Sequence, residues 1–379
     1  MKYVLAPLAG FTDAPFRRLC TEGGADLTYT EMVSAAGLAH GSSPTRHLME
    51  TMPGEGPVSL QLFGATESDL AYATEFVNRT VEQSNRRTIV EINLNAGCPM
   101  KKVTREGAGA KLIEEPEKIY RLLKAMVGNT TLPVTLKTRL GPHPQRTNVF
   151  EIIDAAELAG AKGLVVHARY TSQMHGGPTH LDTLAEVVER SHIPVTGNGS
   201  VVDAKTAAAM AATGVDAIMI GRASLSNPGI FNSLKSVEQS NNRTIEQFRR
   251  HLAYLLEFRD QLAAKYPNDH IPSPDAFASV KMHVHLFRYF NGRPGAAELR
   301  KRLNTVRTLD EIDEIVSSCI FNLDSSVECL TQRRREAESA ENARNLANTM
   351  SYESNLLEAK HHLKGETTNC SGHCDKTTN

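Results

Sequence analysis

Residues 91–103 read EINLNAGCPMKKV and set one cysteine, Cys98, between Gly97 and Pro99, with Lys101 and Lys102 close behind. A thiol in that setting is a metal ligand, a packing residue or a group presented to a reactant. As a metal ligand it lacks partners, because no second cysteine stands at C-x-x-C spacing and His167 alone does not make a site. As packing it is misplaced, because it falls in a loop after an apolar run rather than on a strand face. A thiol aimed into a site remains. A free thiol has a pKa of about 8.5 and is mostly protonated at neutral pH, so proton donor and nucleophile both stay open from spacing alone.

The elements that would position such a thiol are legible as apolar runs at near-regular intervals: 3–9, 26–32, 58–64, 89–95, 133–139, 163–169, 193–199 and 216–222. Several are continuous rather than alternating, as strands covered on both faces should be. Segments with helical spacing lie between them, such as ESDLAYATEFVNRTVEQ and PEKIYRLLKAMV. Asp203 and Asn148 suit N-caps, and Gly160 and Gly214 suit positions just past helix ends. Eight strands alternating with helices predict an α/β fold, a (β/α)8 TIM barrel over residues 1–240. An open doubly wound sheet is the alternative, but no glycine fingerprint follows the first strand.

Active sites of such barrels lie at the C-terminal strand ends. Those ends carry Pro7–Ala9, Glu31, Gln61, Asn95–Cys98, Lys137 with Arg139, His167 with Arg169, Asn198, and Gly221 with Arg222. So many polar strand ends favour an enzyme. GNGSV after the seventh run and IGRAS after the eighth stand where many barrels bind phosphate through backbone N–H groups. A phosphate-bearing cofactor or substrate is implied. Lys137 in the mouth would need an anion or an electron-rich ring edge as partner.

From about residue 241 the strand signal stops. Phe248, Leu252, Leu255 and Leu262 recur at helical spacing, and AAELRKRLN continues the pattern, so residues 241–325 read as a small all-α domain. Residues 241–310 hold 12 Lys/Arg against 7 Asp/Glu, an excess of +5 in a chain whose net charge is −1. A basic module on a mildly acidic body can dock a polyanion. Residues 326–379 are polar and poor in aromatics and read as a solvated helix or disordered tail. Six cysteines without framework spacing suit a reducing cytosol. No membrane-spanning run and no secretory signal are visible, so a cytoplasmic protein is expected. No metal site is expected, and CSGHC (370–374) is read as incidental.

The motifs APLAGFTDAPFR, SLQLFG, NAGCPMKKVTREGAGAKL, PVTLKTRLG, VVHAR, GNGSV and IGRA together resemble those of tRNA-dihydrouridine synthases. The resemblance covers about residues 3–235 in register and continues loosely through the helical domain. It implies an FMN enzyme that uses NADPH to reduce the C5=C6 bond of a uridine in tRNA. By resemblance, Pro7, Leu8 and Ala9 line the flavin, Gln61 and Lys137 bind its ring edge, and His167 contacts the cofactor. Asn198, Gly199, Ser200, Gly221 and Arg222 hold its phosphate. Asn95 contacts the target uracil, and Arg169 is counted with the substrate-binding residues. Cys98 gives a proton to C5 while flavin N5 delivers hydride to C6. The base must leave its stack to reach the mouth. Lys101, Lys102 and Arg105 would hold neighbouring phosphates, and the helical domain would supply the rest of the tRNA contact. No obligate protein partner is implied. A flavin barrel acting on a free pyrimidine, and a tRNA-binding protein without catalysis, are the other classes. The first would not need the basic helical domain, and the second would tolerate loss of Cys98.

Overall fold

Runs of aliphatic and β-branched residues bounded by Gly, Pro or Asp favour strands, and the computed structural model forms strands in all eight expected windows. The structure describes residues 1–84, 88–235, 244–289 and 305–318. Strands β1 (Lys2–Leu5), β2 (Thr28–Tyr29), β3 (Val33–Ser34), β4 (Val58–Phe63), β5 (Ile89–Asn95), β6 (Val134–Arg139), β7 (Leu164–His167), β8 (Val195–Asn198) and β9 (Ala217–Ile220) form one sheet. Every described pairing is parallel, in the order β1-β9-β8-β7-β6-β5-β4-β2, with β3 also on β4. The two ends meet: Leu5 N–H donates to Leu27 O at 2.9 Å and Asp26 N–H to Tyr3 O at 2.8 Å. The sheet is therefore a closed barrel, and the open alternative is excluded.

One strand differs from expectation. Only Thr28–Tyr29 of the run 26–32 is strand, β3 follows just beyond it, and the two pair with opposite ends of β4. The hydroxyl of Thr30 accepts the Gln61 N–H at 3.0 Å, so a side chain takes the place of a backbone acceptor where the strand is interrupted.

The helices start and stop for local reasons. Asp13 accepts Phe16 N–H at 3.2 Å and Pro15 follows it, an N-terminal pairing that launches the helix Ala14–Glu22. Asp203 caps Ala204–Ala211 by accepting Thr206 N–H at 2.8 Å, as its sequence position suggests. Asn148 stands at the start of Val149–Ala159 but makes no capping bond, donating instead to Ile113 O at 2.7 Å. Gly160 does end that helix in the left-handed region, whereas Ala212 rather than Gly214 caps Ala204–Ala211.

The barrel interior has two characters. Val4, Ala6, Tyr29, Val165, Ala217 and Met219 make an apolar cluster on one side. On β4, β5 and β6 the inward positions are polar: Ser59 and Gln61, then Glu91, Asn93 and Asn95, then Thr135 and Lys137. The register sets Ser59 beside Glu91, Gln61 beside Asn93, Asn93 beside Thr135, and Asn95 beside Lys137. The alternate residues Leu60, Ile92, Leu94, Val134 and Leu136 are buried against the helices, each such side chain contributing about 1.5–3 kcal/mol.

Past the barrel, helices Thr244–Lys265, Pro274–Tyr289 and Leu309–Ser318 belong with it to one compact unit, Met1–Cys319. Phe248, Leu252, Leu255 and Leu262 are buried as one stripe. The cations of this region are largely engaged. Arg249 lies 3.9 Å from Asp313, Arg250 pairs with Glu22 and Glu246, Lys265 with Glu50, and Lys281 with Asp13 and Glu31. The helix expected over AAELRKRLN, with Arg300 and Arg302, lies outside the described residues, as does the tail with CSGHC. Among the described residues no helix is long and apolar enough to cross a membrane.

Candidate active site

The loop after β5 holds Cys98 by several independent bonds. Asn95 Oδ1 accepts the N–H groups of Gly97 at 3.1 Å and Cys98 at 3.0 Å, a side-chain turn that folds the chain back on the strand end. Ala110 N–H donates to Cys98 O at 2.9 Å, and Arg139 Nε donates to Gly97 O at 2.7 Å. Gly109, at φ +59, passes so close that a Cβ there would stand 2.7 Å from Cys98 O. The thiol itself is part-exposed. Burial pushes its pKa up, against the pull of the Met100 N–H and the Arg139 and Lys137 cations, so it stays protonated through neutral pH.

Lys137 projects from β6 into the same mouth. Among the described residues it donates to Asn198 Oδ1 at 3.2 Å, and Asn198 Nδ2 in turn donates to Met219 O at 2.9 Å. Burial, with Arg139 adding repulsion, brings the ammonium down to about 7, and Cys98 opposes that only in part. His167, at the end of β7, is held neutral by burial and by Lys137, Arg139 and Arg169. The cations here depress one another, and none of them meets a carboxylate among the described residues. Such a mouth is prepared for an anion or an electron-rich ring edge.

The loops after β8 and β9 complete the mouth. Gly199 adopts φ +139, and a Cβ there would stand 2.8 Å from Thr179 Cγ2; Ser200 follows at φ 54. Among the described residues the N–H groups of Ser200, Arg222 and Ala223 meet no backbone acceptor, and Gly221 leads directly into Arg222. Arg169 donates to Ser200 Oγ at 2.6 Å and to Gly177 O at 2.8 Å, and lies 3.2 Å from His167 Nε2. Three arginines pin the loop 170–177 across the mouth by its carbonyls. Arg139 takes Met174 O at 2.7 Å, Arg169 takes Gly176 O at 3.0 Å, and Arg222 takes His175 O at 3.2 Å.

Pro7, Leu8 and Ala9 follow β1 at the rim, where Leu8 N–H donates to Thr12 Oγ1 at 3.1 Å. Gly10 N–H, next in the chain, donates to Glu31, whose carboxylate also faces Lys281 at 3.9 Å. Lys101, Lys102 and Arg105 are exposed on the short helix Lys101–Arg105, and no carboxylate pairs with them among the described residues. The structure thus brings Gln61, Asn95, Cys98, Lys137, His167, Asn198, Gly199, Ser200, Gly221 and Arg222 to one end of the barrel. Arg169 falls with Ser200 and His167.

Sequence reasoning gave no role to His175, Arg139, Asn93, Thr135 or Glu91. His175 stacks near His167 at 6.3 Å and sits in a loop with no motif to flag it. Asn93, Thr135 and Glu91 did carry a signal. Polar residues alternate within strands that are otherwise continuously apolar, in EINLN and VTLK, which marks a polar inner face.

Comparison with known proteins agrees with this geometry. A family model described as "Dihydrouridine synthase (Dus)" matches residues 4–324. The chain is similar to "tRNA-dihydrouridine synthase B" of Pasteurella multocida, 36% identical over 243 residues, 64% of this chain and 71% of that protein. It is similar also to the protein of that name from Escherichia coli (strain K12), 35% identical over 235 residues, 62% of this chain and 71% of that one. Among solved structures, morphinone reductase aligns with a TM-score of 0.43 at 12% identity over 62% of this chain and 85% of that chain. With the match spanning barrel and helical segment alike, and with NAGCPMKKV and its thiol at the barrel mouth, the chain belongs to the dihydrouridine synthase family.

Proposed function

We propose that this chain is an FMN-dependent enzyme that draws electrons from NADPH and reduces the C5=C6 bond of a uridine in tRNA to 5,6-dihydrouridine. The observation that carries the reading is a protonated thiol, Cys98, sharing a cationic mouth with Lys137. The names of its relatives supply the tRNA.

The residues present fit FMN. Lys137 is a deep-set ammonium whose hydrogen-bond partner among the described residues is one amide oxygen, and a flavin ring edge would give it an electron-rich neighbour. The N–H groups of Ser200, Arg222 and Ala223, which meet no backbone acceptor among the described residues, suit a phosphate. Pro7, Leu8 and Ala9 would line the ring and Gln61 its edge. His167 would contact the cofactor while neutral, and Asn198, Gly199, Ser200, Gly221 and Arg222 would hold the phosphate end. We assign Arg169 to that end too, because it fixes Ser200. Hydride for C6 of the base is the chemistry that bound FMN supplies.

Cys98 supplies the proton. Its S–H bond breaks as C5–H forms, and the thiolate left behind is stabilised by Arg139 and Lys137 until it takes a proton back from water. Asn95 would meet the uracil while its Oδ1 holds the Cys98 loop, so one side chain sets both base and acid. Extruding the base costs about a few kcal/mol. Lys101, Lys102 and Arg105 repay part of this by gripping backbone phosphates beside the mouth. The helical domain, 241–325, would supply the remaining tRNA contact, its cations concentrated within 241–310, where Lys/Arg outnumber Asp/Glu by 12 to 7.

The test is direct. Purified protein should carry FMN, and Cys98→Ala should keep FMN and tRNA but lose uridine reduction. A protein that takes up no FMN on reconstitution, or full turnover by Cys98→Ala, would overturn the reading.

A further inference from the structure

One continuous chain of hydrogen bonds runs down the polar side of the barrel interior. The N–H groups of Gly97 and Cys98 donate to Asn95 Oδ1 at 3.1 and 3.0 Å. Asn95 Nδ2 donates to Gln61 Oε1 at 2.8 Å, and Gln61 Nε2 to Asn93 Oδ1 at 2.7 Å. Asn93 Nδ2 donates to Thr135 Oγ1 at 2.8 Å, and Thr135 Oγ1 to Glu91 Oε1 at 3.2 Å. Tyr29 OH also donates to Glu91 Oε1, at 3.0 Å. Glu91 lines a cavity of about 730 Å³ with Lys2, Asp26, Lys162 and Asp216, and with Leu164, which begins β7, and Pro194, which precedes β8. It therefore sits at the opposite end of the barrel from Cys98.

Every bond in this chain points the same way, and chemistry at the two ends forces it to. Backbone N–H groups can only donate, so Asn95 must turn its oxygen to them and its nitrogen to Gln61. Gln61 must then turn its oxygen up and its nitrogen down, and Asn93 likewise. That leaves the Thr135 hydroxyl accepting from Asn93, with its own proton free for an acceptor below. A carboxylate only accepts. Were Asn93 reversed, each amide above it would reverse in turn, and Asn95 Nδ2 would face two N–H donors.

We propose that Glu91, acting through Thr135, is a positioning residue for the Cys98 loop: it terminates a one-directional relay that fixes the amide orientation of Gln61 and Asn95. The catalytic consequence rests on the function proposed above. The structural one, that the relay secures the Gly97 and Cys98 N–H groups, does not.

The experiment uses the full chain with Thr135→Val, Glu91→Leu, the double variant, and Thr135→Ser as the conservative rescue. Hydrogen exchange of the 95–100 segment is followed by mass spectrometry, independently of activity. Exchange at Gly97 and Cys98 should quicken in Thr135→Val and Glu91→Leu and return to wild-type rates in Thr135→Ser. In turnover on tRNA, kcat should fall by about 10-fold to 100-fold, as expected when a reacting group is displaced from a distance. KM for tRNA should hold, since no phosphate contact is touched. The double variant should lose no more than either single one, because both cut one chain. Unchanged exchange in Thr135→Val, or losses that add in the double variant, would overturn the proposal. Quickened exchange in a protein inactive on tRNA from the outset would leave the relay standing and refute only the proposed reaction.

Discussion

Replacing Lys137 by Met should stabilise the cofactor-free protein while removing its hold on flavin. Burial brings the ammonium from its ordinary 10.5 down to about 7, which at about 1.4 kcal/mol per pH unit sets a ceiling of roughly 5 kcal/mol on the cost of keeping it charged. Part of the side chain meets the open mouth, where water screens it, so about half of that or less should appear. Losing the bond to Asn198 Oδ1 returns about 1 kcal/mol. The net gain for Lys137→Met is then at most about 1.5 kcal/mol near pH 6. The sign with pH follows from linkage. Between about 7 and 10.5 the unfolded chain binds the Lys137 proton and the folded protein does not, so wild-type stability rises across that window. Below it the cost is paid in full. The advantage of Lys137→Met should shrink from about pH 6 towards zero or below near pH 10. Paired thermal melts of cofactor-free wild type and variant across that range read it. A difference that does not change with pH, or a variant less stable near pH 6, would refute the reasoning.

Cys98→Ala should retain flavin and tRNA binding but lose about 10²–10⁴-fold in kcat, read by single-turnover reduction of tRNA. Because burial raises the Cys98 pKa, activity should hold through neutral pH and fall only on the alkaline side, a limb that Cys98→Ala should lack in its residual rate. Gly199→Val should abolish flavin retention in an absorbance assay, since φ +139 and a Cβ 2.8 Å from Thr179 Cγ2 cannot both be accommodated without moving the loop. Charge reversal at Lys101, Lys102 and Arg105 should raise KM for tRNA and flatten its salt dependence, while flavin reduction by NADPH continues at the wild-type rate.

Much of the barrel could be read before the structure because its strands are covered on both faces. VTLKTR and GLVVHAR announce themselves as short runs, and topology then puts Lys137 and His167 at the same end of the barrel. Cys98 stood out for a different reason, its Gly-Cys-Pro loop setting being unsuited to packing and the chain offering it no partner ligands at metal-site spacing. The interrupted second strand was not legible. Its break turns on the Thr30 hydroxyl taking the Gln61 N–H, a contact 31 residues apart. The surroundings of Arg169 were not legible for a similar reason, since only the folded loop shows it donating to Gly176 O, Gly177 O and Ser200 Oγ. Nor could sequence show that Arg250 and Lys281 spend their charge on Glu22, Asp13 and Glu31 within the chain.

The most direct test of the central claim is the product itself. Flavin-loaded protein is incubated without oxygen with NADPH and unmodified tRNA, and the digested nucleosides are analysed by mass spectrometry. The account predicts a uridine that has gained two hydrogens, formed by the wild type and nearly absent with Cys98→Ala. Flavin that NADPH reduces and that tRNA then leaves reduced, with no dihydrouridine formed, would contradict it.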